Sequence, residues 1–537
     1  MSFNIADMFE HAVDLMPDRV AVICGDRQVT YSQLEERSNR LAHHLAAHGV
    51  GEGSHVGLYL RNSIEAMETM LAAYKLRSVA INVNYRYTAS ELRYIVDNAD
   101  LVALVHESGY ADTVAEVLPD TPRLRHRVVV DDGVTEPATD GGTVRYEEAL
   151  AASSPERAFP SRTSDDLYIL YTGGTTGAPK GVMWRHEDIW RVLGGGIDFY
   201  TGEAVRDEWQ QARQGAEGEG STWFTIPPLI HGAAQWPALS ALFSGGTLVL
   251  TPQFDPHEVW QLVERHAVNI AVITGDAMAR PLIEALSEGG YDASSLVAIG
   301  SGAALFSPSV KRQCLEALPH VVISDSIGSS ETGFGGMSVA ARDDSSDRGP
   351  RVQAGAETVV LDENDRPVRP GSGVVGRLAR GGHLPLGYYK DPEKSAAMFV
   401  ESEGKRYAIP GDWATVEEDG SITLLGRGNR CVNTGGEKVF PEEVEAALKS
   451  HADVFDAVVV GVPDERFGQR VAAVVELRPG RRLDFDGVSA HVRRELAGYK
   501  VPRSVWVADR IVRSPSGKPD YRWAERFTSE HAAVAHG

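Results

Sequence analysis

The chain has 537 residues, 42% hydrophobic and 24% charged, a globular composition too long for one core, so at least two domains are expected. Its 53 Lys and Arg against 75 Asp and Glu give a formal net charge of −22, which disfavours nucleic acid and anionic membranes but leaves room for a local basic pocket. Cys24, Cys314 and Cys431 lie far apart, with no CxxC or Cys/His cluster, so neither a disulfide framework nor a zinc site is indicated.

The opening segment, "MSFNIADMFEHAVDLMPDRV", carries acids throughout and predicts a helix rather than a signal peptide. No apolar run approaches the length of a membrane span, so a cytoplasmic protein without integral membrane association is expected. "VAVIC" predicts a strand. "TYSQLEERSNRLAHHLAAHGV" predicts a helix in which Thr30 and Gln33 form a capping box and Leu34, Leu41 and Leu45 share a face. The runs "HVGLYL", "VAINVN", "LVALVHE" and "HRVVVDD" continue as strands with helices between them, an alternation that argues for α/β layers.

The polar stretch 201–221 is expected to be an exposed insertion. Asp255 as N-cap with Pro256 behind it starts a further helix, "NIAVITG" is a strand, and "FSPSVKRQCLEALP" repeats the Ser-Pro start. Beyond about residue 345, turn-rich β patterns take over. A fresh α/β unit begins after "LLGRGNRCVNTGGEKVF", and the final "TSEHAAVAHG" is expected to fray.

Before that, "LYILYTGG" predicts a strand running into "YTGGTTGAPKGV" (171–182), which sets four glycines and three threonines against one lysine, Lys180. Backbone N–H groups in such a loop make a concave anion site, and Lys180 adds a point charge. The spacing is not that of a Walker loop, because Lys180 follows Pro179 and precedes Gly181. Against the alternative of a flexible surface loop, this density of glycine, threonine and lysine after a buried strand favours a polyphosphate site. Later segments add to it. "DSIGSSETG" (325–333) offers Glu331 to a hard magnesium ion, and "YAIPGDWA" (407–414) offers Asp412 to ribose hydroxyls. "LGRGNRCVNTGGEKVFPEEVE" (425–445) supplies Arg427, and "RSPSGKPDYR" (513–522) puts Lys518 in a glycine/proline loop.

In order and spacing these motifs resemble the adenylate-forming superfamily of acyl-CoA synthetases, luciferases and peptide-synthetase adenylation domains, over nearly the whole chain. "YTGGTTGAPKGVMWRHEDIWRVL", "IPPLIHGAAQWPALSALFSGGT", "TGDAMARPL" and "SIGSSETGFGG" are similar to the steroid side-chain CoA ligases of cholesterol-degrading actinobacteria. The resemblance implies an α/β multidomain fold. Residues 1–427 would form an N-terminal adenylation domain of two α/β lobes plus a β-rich lobe, and 428–537 a small mobile α+β domain carrying the catalytic lysine. It implies an AMP-forming acid–CoA ligase using ATP, Mg2+ and coenzyme A, with a steroid side-chain carboxylate as substrate. Alternatives are medium- or long-chain fatty acids, or transfer of the acyl group to a carrier protein. Lys180, Glu331, Asp412, Arg427 and Lys518 together disfavour a non-catalytic nucleotide-binding relative. Partners are then small molecules, without nucleic acid, and a homodimer stays open.

Carried over residue by residue, the resemblance implies that Thr172, Gly173, Gly174, Thr175, Thr176, Gly177 and Lys180 hold the β- and γ-phosphates. Glu331 would bind magnesium with the Thr172 hydroxyl, and Ser330 would approach the α-phosphate. "GSGAAL" (300–305), with Gly302, Ala303 and Ala304, and Asp325, Ser326, Ile327 and Gly328 would form the adenine slot, with Ser329 also on ATP and Asp412 and Arg427 on the ribose. Lys518 would touch both the substrate carboxylate and the α-phosphate.

His231 stands at the acyl entrance or is a satisfied structural histidine. Gly232, Ala233, Ala234, Gly300 and Ser301 either leave room for a bulky acyl group or reflect close packing. Asn429 is the hinge or a polar turn residue, and Gly435, Gly436, Lys438, Arg466 and Lys500 meet CoA or are solvated surface. There are two departures from the pattern. Ile327 replaces the common stacking tyrosine, so aliphatic contact and backbone bonds would hold the base, and Asn433 stands where some relatives carry a second lysine, which removes support for such a role. Cys431, beside the hinge, is expected to be structural.

Overall fold

The computed structural model describes the chain except residues 1–2, 138, 140, 173–177, 194–195, 197–202, 305, 341–350, 356, 428–429, 435–436, 465–467, 515–516 and 537, with backbone alone at 340, 427, 433, 437, 438 and 536. It divides into two units. The first comprises Met1–Val272, Tyr291–Val297 and His383–Met398, and the second Ile273–Gly290, Ala298–Gly382 and Phe399–Gly537. The boundary expected between 427 and 428 lies within the second unit.

Alternating apolar runs and capped helices build the first unit. Five parallel strands lie in the order Val79–Asn82, His55–Tyr59, Leu101–Glu107, His126–Val130, Thr143–Arg145. The first four are buried nearly throughout, which is why they read as continuous apolar runs rather than alternating ones. Helix Tyr31–Ala47 starts with both bonds of the expected capping box, and its Leu34, Leu41 and Leu45 are fully buried. A second set of strands runs Arg27–Thr30, Val20–Cys24, Thr247–Leu250, Thr222–Thr225, Ile270–Ile273, parallel except for its first pair. A third, small antiparallel sheet orders Gly387–Tyr388, Lys180–Arg185 and Leu167–Thr172.

The second unit is β-rich. Ala298–Ser301 and Val322–Ser329 pair in parallel, and Gly333–Ala340, Arg351–Ala354, Ile422–Arg427 and Asp412–Val416 follow as antiparallel neighbours. Near the C-terminus, the long hairpin Val454–Asp464/Gly468–Leu477 carries helices Pro441–Lys449 and Phe485–Glu495.

Two expectations change. Stretch 201–221 is not simply an exposed insertion: it contains helix Gln210–Glu217, with Ala212 buried, and Arg19 donates to the Gly215 and Gly218 carbonyls. Trp209 stacks on His11 at 3.7 Å, so one aromatic anchors an otherwise polar segment. Nor does the tail simply fray. Ala535–His536 pairs with Ser504–Val507, and Trp506 Nε1 donates to the His531 carbonyl at 2.9 Å, covering an open strand edge. Among the described residues no helix is long and apolar enough to cross a membrane.

Candidate active site

In the first unit the glycine/threonine segment closes a β-hairpin rather than entering a helix. Strands Leu167–Thr172 and Lys180–Arg185 pair antiparallel, with Thr172 directly opposite Lys180. Gly173, Gly174, Thr175, Thr176 and Gly177 lie outside the described residues. The missing Walker spacing thus has a structural counterpart, because the frame is a strand ladder. Gly181 has to be glycine: a Cβ there would stand 2.7 Å from the Tyr171 ring and 2.8 Å from Ile169. Lys180 Nζ lies 5.0 Å from the Tyr388 ring centroid, a cation–π contact that aims the ammonium.

Two buried asparagines that the sequence reading missed organise this hairpin and the turn before His231. Asn82 Nδ2 donates to the carbonyls of Tyr171 (2.8 Å) and Ile230 (2.6 Å), and its Oδ1 accepts from Tyr171 N–H at 2.8 Å. Asn62 donates to Pro227 O at 3.1 Å and accepts from Leu229 N–H at 2.7 Å. One amide therefore holds both the residue preceding Thr172 and the residue preceding His231. A polar residue ending the apolar runs "VAIN" and "LYLRN" was the available signal.

His231 is the N-cap residue of helix Gly232–Phe243 and is half-buried. Gly232 reflects close packing, since a Cβ there would stand 2.8 Å from Leu170. Ala234 lies at 0% exposure in the core, whereas Ala233 is half-buried.

In the second unit, strand Val322–Ser329 alternates its faces. Asp325 is buried and paired with Lys311 at 2.7 Å, and burial nevertheless raises its carboxyl above the usual range. Ile327 packs with Val352, Val360, Leu378, Ala414 and Ile422. Its side chain lies in this apolar cluster, on the same face of the strand as Ile323 and Asp325. Ser326 Oγ donates to Ser301 O at 3.0 Å, and Ser301 Oγ accepts from Gly275 N–H at 3.1 Å. Gly300 has room for a Cβ, 3.7 Å from Ser324 Oγ, while Gly302 is tighter, at 3.0 Å from Ser326 Oγ. Ala303 has φ +65°, and Ala304 N–H reaches Gly302 O at 2.8 Å, a tight turn that stores backbone strain in the "GSGAAL" loop.

Ser330 and Glu331 occupy the turn between Val322–Ser329 and Gly333–Ala340. Ser329 and Thr332 hydroxyls hydrogen-bond at 2.9 Å beneath it, and Gly328 is exposed. A carboxylate among hydroxyls is a hard-oxygen set, which fits magnesium. Asp412 opens its strand directly opposite Arg427, so two residues fifteen apart meet as a cross-strand pair. Glu442 was missed by sequence reasoning. Its Oε2 is shut off from solvent without a hydrogen bond among the described residues, a Cβ on Gly426 would overlap it, and burial and Glu445 push its carboxyl up to about 7.

Lys518 is exposed on a hairpin in which Arg513 and Pro519 form a bridge. Arg513 grips Asp456 through two bonds, 2.7 and 2.6 Å, and donates to Gly517 O at 2.7 Å. Gly517, at φ +73°, seats the loop against Thr274 and Ala277, where a Cβ would stand 3.0–3.1 Å away. Close by in the same unit, Asp276 and Lys449 form a buried ion pair at 3.0 Å, and Lys449 and Arg280 hold the Asp276 carboxyl below its usual range despite burial. Of the CoA candidates, Lys500 is ion-paired to Glu443 at 2.6 Å. Lys438 is described in backbone only, opposite Asn433, while Asn429, Gly435, Gly436 and Arg466 lie outside the described residues. Burial pushes the Cys24 and Cys314 thiols up to about 12, so both are inert.

Solved structures give the fold. The anthranilate CoA ligase AuaEII, crystallised with anthranoyl-AMP, matches with a TM-score of 0.83 at 22% identity, covering 98% of this chain and 97% of that one, so the two share a fold. The model of the AMP-binding enzyme family matches residues 9–389, and that of the AMP-binding enzyme C-terminal domain matches 443–518. A 3-oxocholest-4-en-26-oate–CoA ligase of Rhodococcus rhodochrous is 58% identical over 534 residues, 98% of this chain and 96% of that protein. A medium/long-chain-fatty-acid–CoA/3-oxocholest-4-en-26-oate–CoA ligase of Mycobacterium tuberculosis is 57% identical over 534 residues, 99% and 97% of the two chains. The chain belongs to the AMP-binding enzyme family and is an acid–thiol ligase within it.

Proposed function

We propose that this enzyme converts a steroid side-chain carboxylate to its CoA thioester in the cytoplasm. The observation that carries the proposal is the identity of 58% and 57%, over nearly the full length, to two ligases named for 3-oxocholest-4-en-26-oate. In the first half-reaction a carboxylate oxygen attacks the α-phosphorus of ATP, the α–β P–O bond breaks, and pyrophosphate leaves with its electron pair. In the second, the CoA sulfur attacks the acyl carbonyl, the mixed-anhydride C–O bond breaks, AMP leaves, and the thiol proton passes to solvent. Both transition states concentrate negative charge, so fixed cations and donors supply most of the stabilisation.

We assign the residues the following roles. Lys180, aimed by Tyr388, and Thr172 across the ladder clamp the β- and γ-phosphates together with the 173–177 loop. Glu331 would hold Mg2+ with the Thr172 hydroxyl, and Ser330 would approach the α-phosphate. Bound there, Mg2+ would supply charge neutralisation for the departing pyrophosphate. Asp412 accepts from the ribose hydroxyls, and Arg427 lies opposite it on the ladder. Lys518 bridges carboxylate and α-phosphate during adenylation, and His231 stands by the substrate carboxylate. Residues 428–537 then turn at Asn429, removing Lys518 before CoA attacks.

A second reading, a medium- or long-chain fatty acid as preferred substrate, is favoured by the name of the mycobacterial relative. CoA consumption measured with steroid acids bearing C5 and C8 side chains, long-chain fatty acids and aryl acids separates the two. Steroid acids are expected to give the highest kcat/KM. Efficient turnover confined to fatty acids would overturn the steroid assignment.

A further inference from the structure

The cysteine spacing indicated no zinc site. Folding brings the distant His126 to His44 and His48, which lie one helical turn apart, and we propose that His44, His48 and His126 form a site for a divalent transition metal of the zinc class. Their ligating nitrogens all lie within 4.8 Å of one another. His44 sits in the last turn of helix Tyr31–Ala47 and His48 is its C-cap residue, so the i,i+4 spacing puts both on one face. His126 opens strand His126–Val130, whose parallel ladder fixes its backbone. A helix end and a sheet strand therefore offer imidazoles to a common point.

The rings need little rearrangement. His44 Nε2 and His126 Nε2 already face each other at 2.8 Å, which aims the in-plane ring axes of both into one gap. A tetrahedral ion about 2.0–2.1 Å from each nitrogen would separate them by about 3.3 Å, an opening of roughly half an ångström. The proton now shared between them moves to the other nitrogen of the donating ring, so both Nε2 lone pairs face the ion.

His48 is exposed while His44 and His126 are buried, so it is both the entry side and the ligand that moves. At present its ring stacks on His126, 3.9 Å between centroids and 11° between planes. Its Nδ1 donates to the His44 carbonyl at 2.8 Å, which leaves Nε2 as the ligating atom and supplies the carbonyl partner that commonly orients a metal-bound imidazole. Turning that ring out of the stack completes three ligands, and water fills the fourth position. An all-imidazole set suits Zn2+, Ni2+ or Cu2+ and selects against the Mg2+ that accompanies ATP, so the site is independent of the nucleotide chemistry and of the substrate assigned above. Bound metal would pin the end of the helix to the five-stranded parallel sheet.

The test uses untagged full-length protein, stripped with a chelator and titrated with Zn2+ against a chromophoric competitor, with thermal unfolding followed in parallel. One equivalent per chain and a raised Tm are expected. His48→Ala, a change at an exposed ring, is expected to weaken Zn2+ binding about tenfold or more and to abolish the rise in Tm. His320→Ala, at an exposed histidine elsewhere, should leave both unchanged. Replacing Zn2+ with Co2+ should give visible ligand-field bands that vanish in His48→Ala. Failure to take up Zn2+, or binding undiminished in His48→Ala, would overturn the site.

Discussion

Two hairpins each present a lysine, and they are held in opposite ways. Thr172 and Lys180 face each other across an antiparallel ladder whose end is gripped by a neutral amide, Asn82, through the N–H and C=O of Tyr171. Arg513 and Pro519 face each other across a single bridge, and the grip there is charged, the Arg513 fork on Asp456. A buried amide whose bonds all go to backbone holds one frame and has no equivalent partner in water. A guanidinium fork keeps its own hairpin in shape wherever that hairpin goes, because both of its partners, Asp456 and the Gly517 carbonyl, belong to the same C-terminal segment. These two grips match the proposed roles, a fixed phosphate clamp and a lysine carried by a moving segment.

The largest effect should come from Lys518. Lys518→Ala is expected to slow acyl-adenylate formation about 10²–10³-fold, the usual cost of removing one electrostatic contact made in the transition state. Thioester formation from supplied acyl-adenylate should stay within a few-fold of wild type. Pyrophosphate exchange reads the first step and CoA consumption from synthetic adenylate the second. Equal losses in both would erase the functional side of the comparison.

Asn82→Ala and Arg513→Lys test the grips themselves. The first strands the Tyr171 N–H and two carbonyls inside the unit, at about 1–3 kcal/mol for each buried group left unpaired, and urea melts should show a stability loss of that order or more. The second keeps the charge but loses the fork. It should cost adenylation about tenfold through misplaced geometry, with little loss of stability and thioester formation spared. Comparable destabilisation by the two variants would show that the charged grip is as structural as the neutral one.

Glu442 sharpens the charged side of the contrast. Its carboxyl is lifted from 4.5 to about 7, first by burial and then by Glu445. The folded chain thus binds the proton more tightly than the unfolded one. That contribution is fully present at low pH and is lost as pH rises from about 4.5 through about 7. Glu442→Gln removes the buried charge, so the stability of the variant relative to wild type should grow by about 2 kcal/mol between about pH 5.5 and pH 8. Urea midpoints at the two pH values check it, and a flat difference would mean that the carboxyl is hydrated.

Much of the frame was legible because burial leaves a local period. The capping box at Thr30 and Gln33, the leucine face behind it and the apolar parallel strands are all encoded within a few residues of themselves. Asn82 was not legible, because its partners Tyr171 and Ile230 lie 89 and 148 residues away and a single asparagine in an apolar run carries no address. The Arg513 fork hides for the same reason, with its partner 57 residues upstream. Ile327 is a case of another kind. The motif identified its position, but which face of the strand it occupied depended on the sheet it joined.

The smallest effect tests whether the neutral hairpin uses any charged contact at all. The Tyr388 ring lies 5.0 Å from Lys180 Nζ, on a strand that pairs with Lys180–Arg185. Such a contact contributes about 0.5–1 kcal/mol at a partly exposed site. Tyr388→Leu keeps the apolar bulk and removes the π face, so KM for ATP should rise about 2–5-fold with kcat unchanged, because the ammonium is aimed equally in ground and transition states. An unchanged KM would mean that the register placing Lys180 opposite Thr172 orients the side chain without help from the ring. The fixed clamp would then be a backbone device, and the contrast with the fork at Arg513 would be complete.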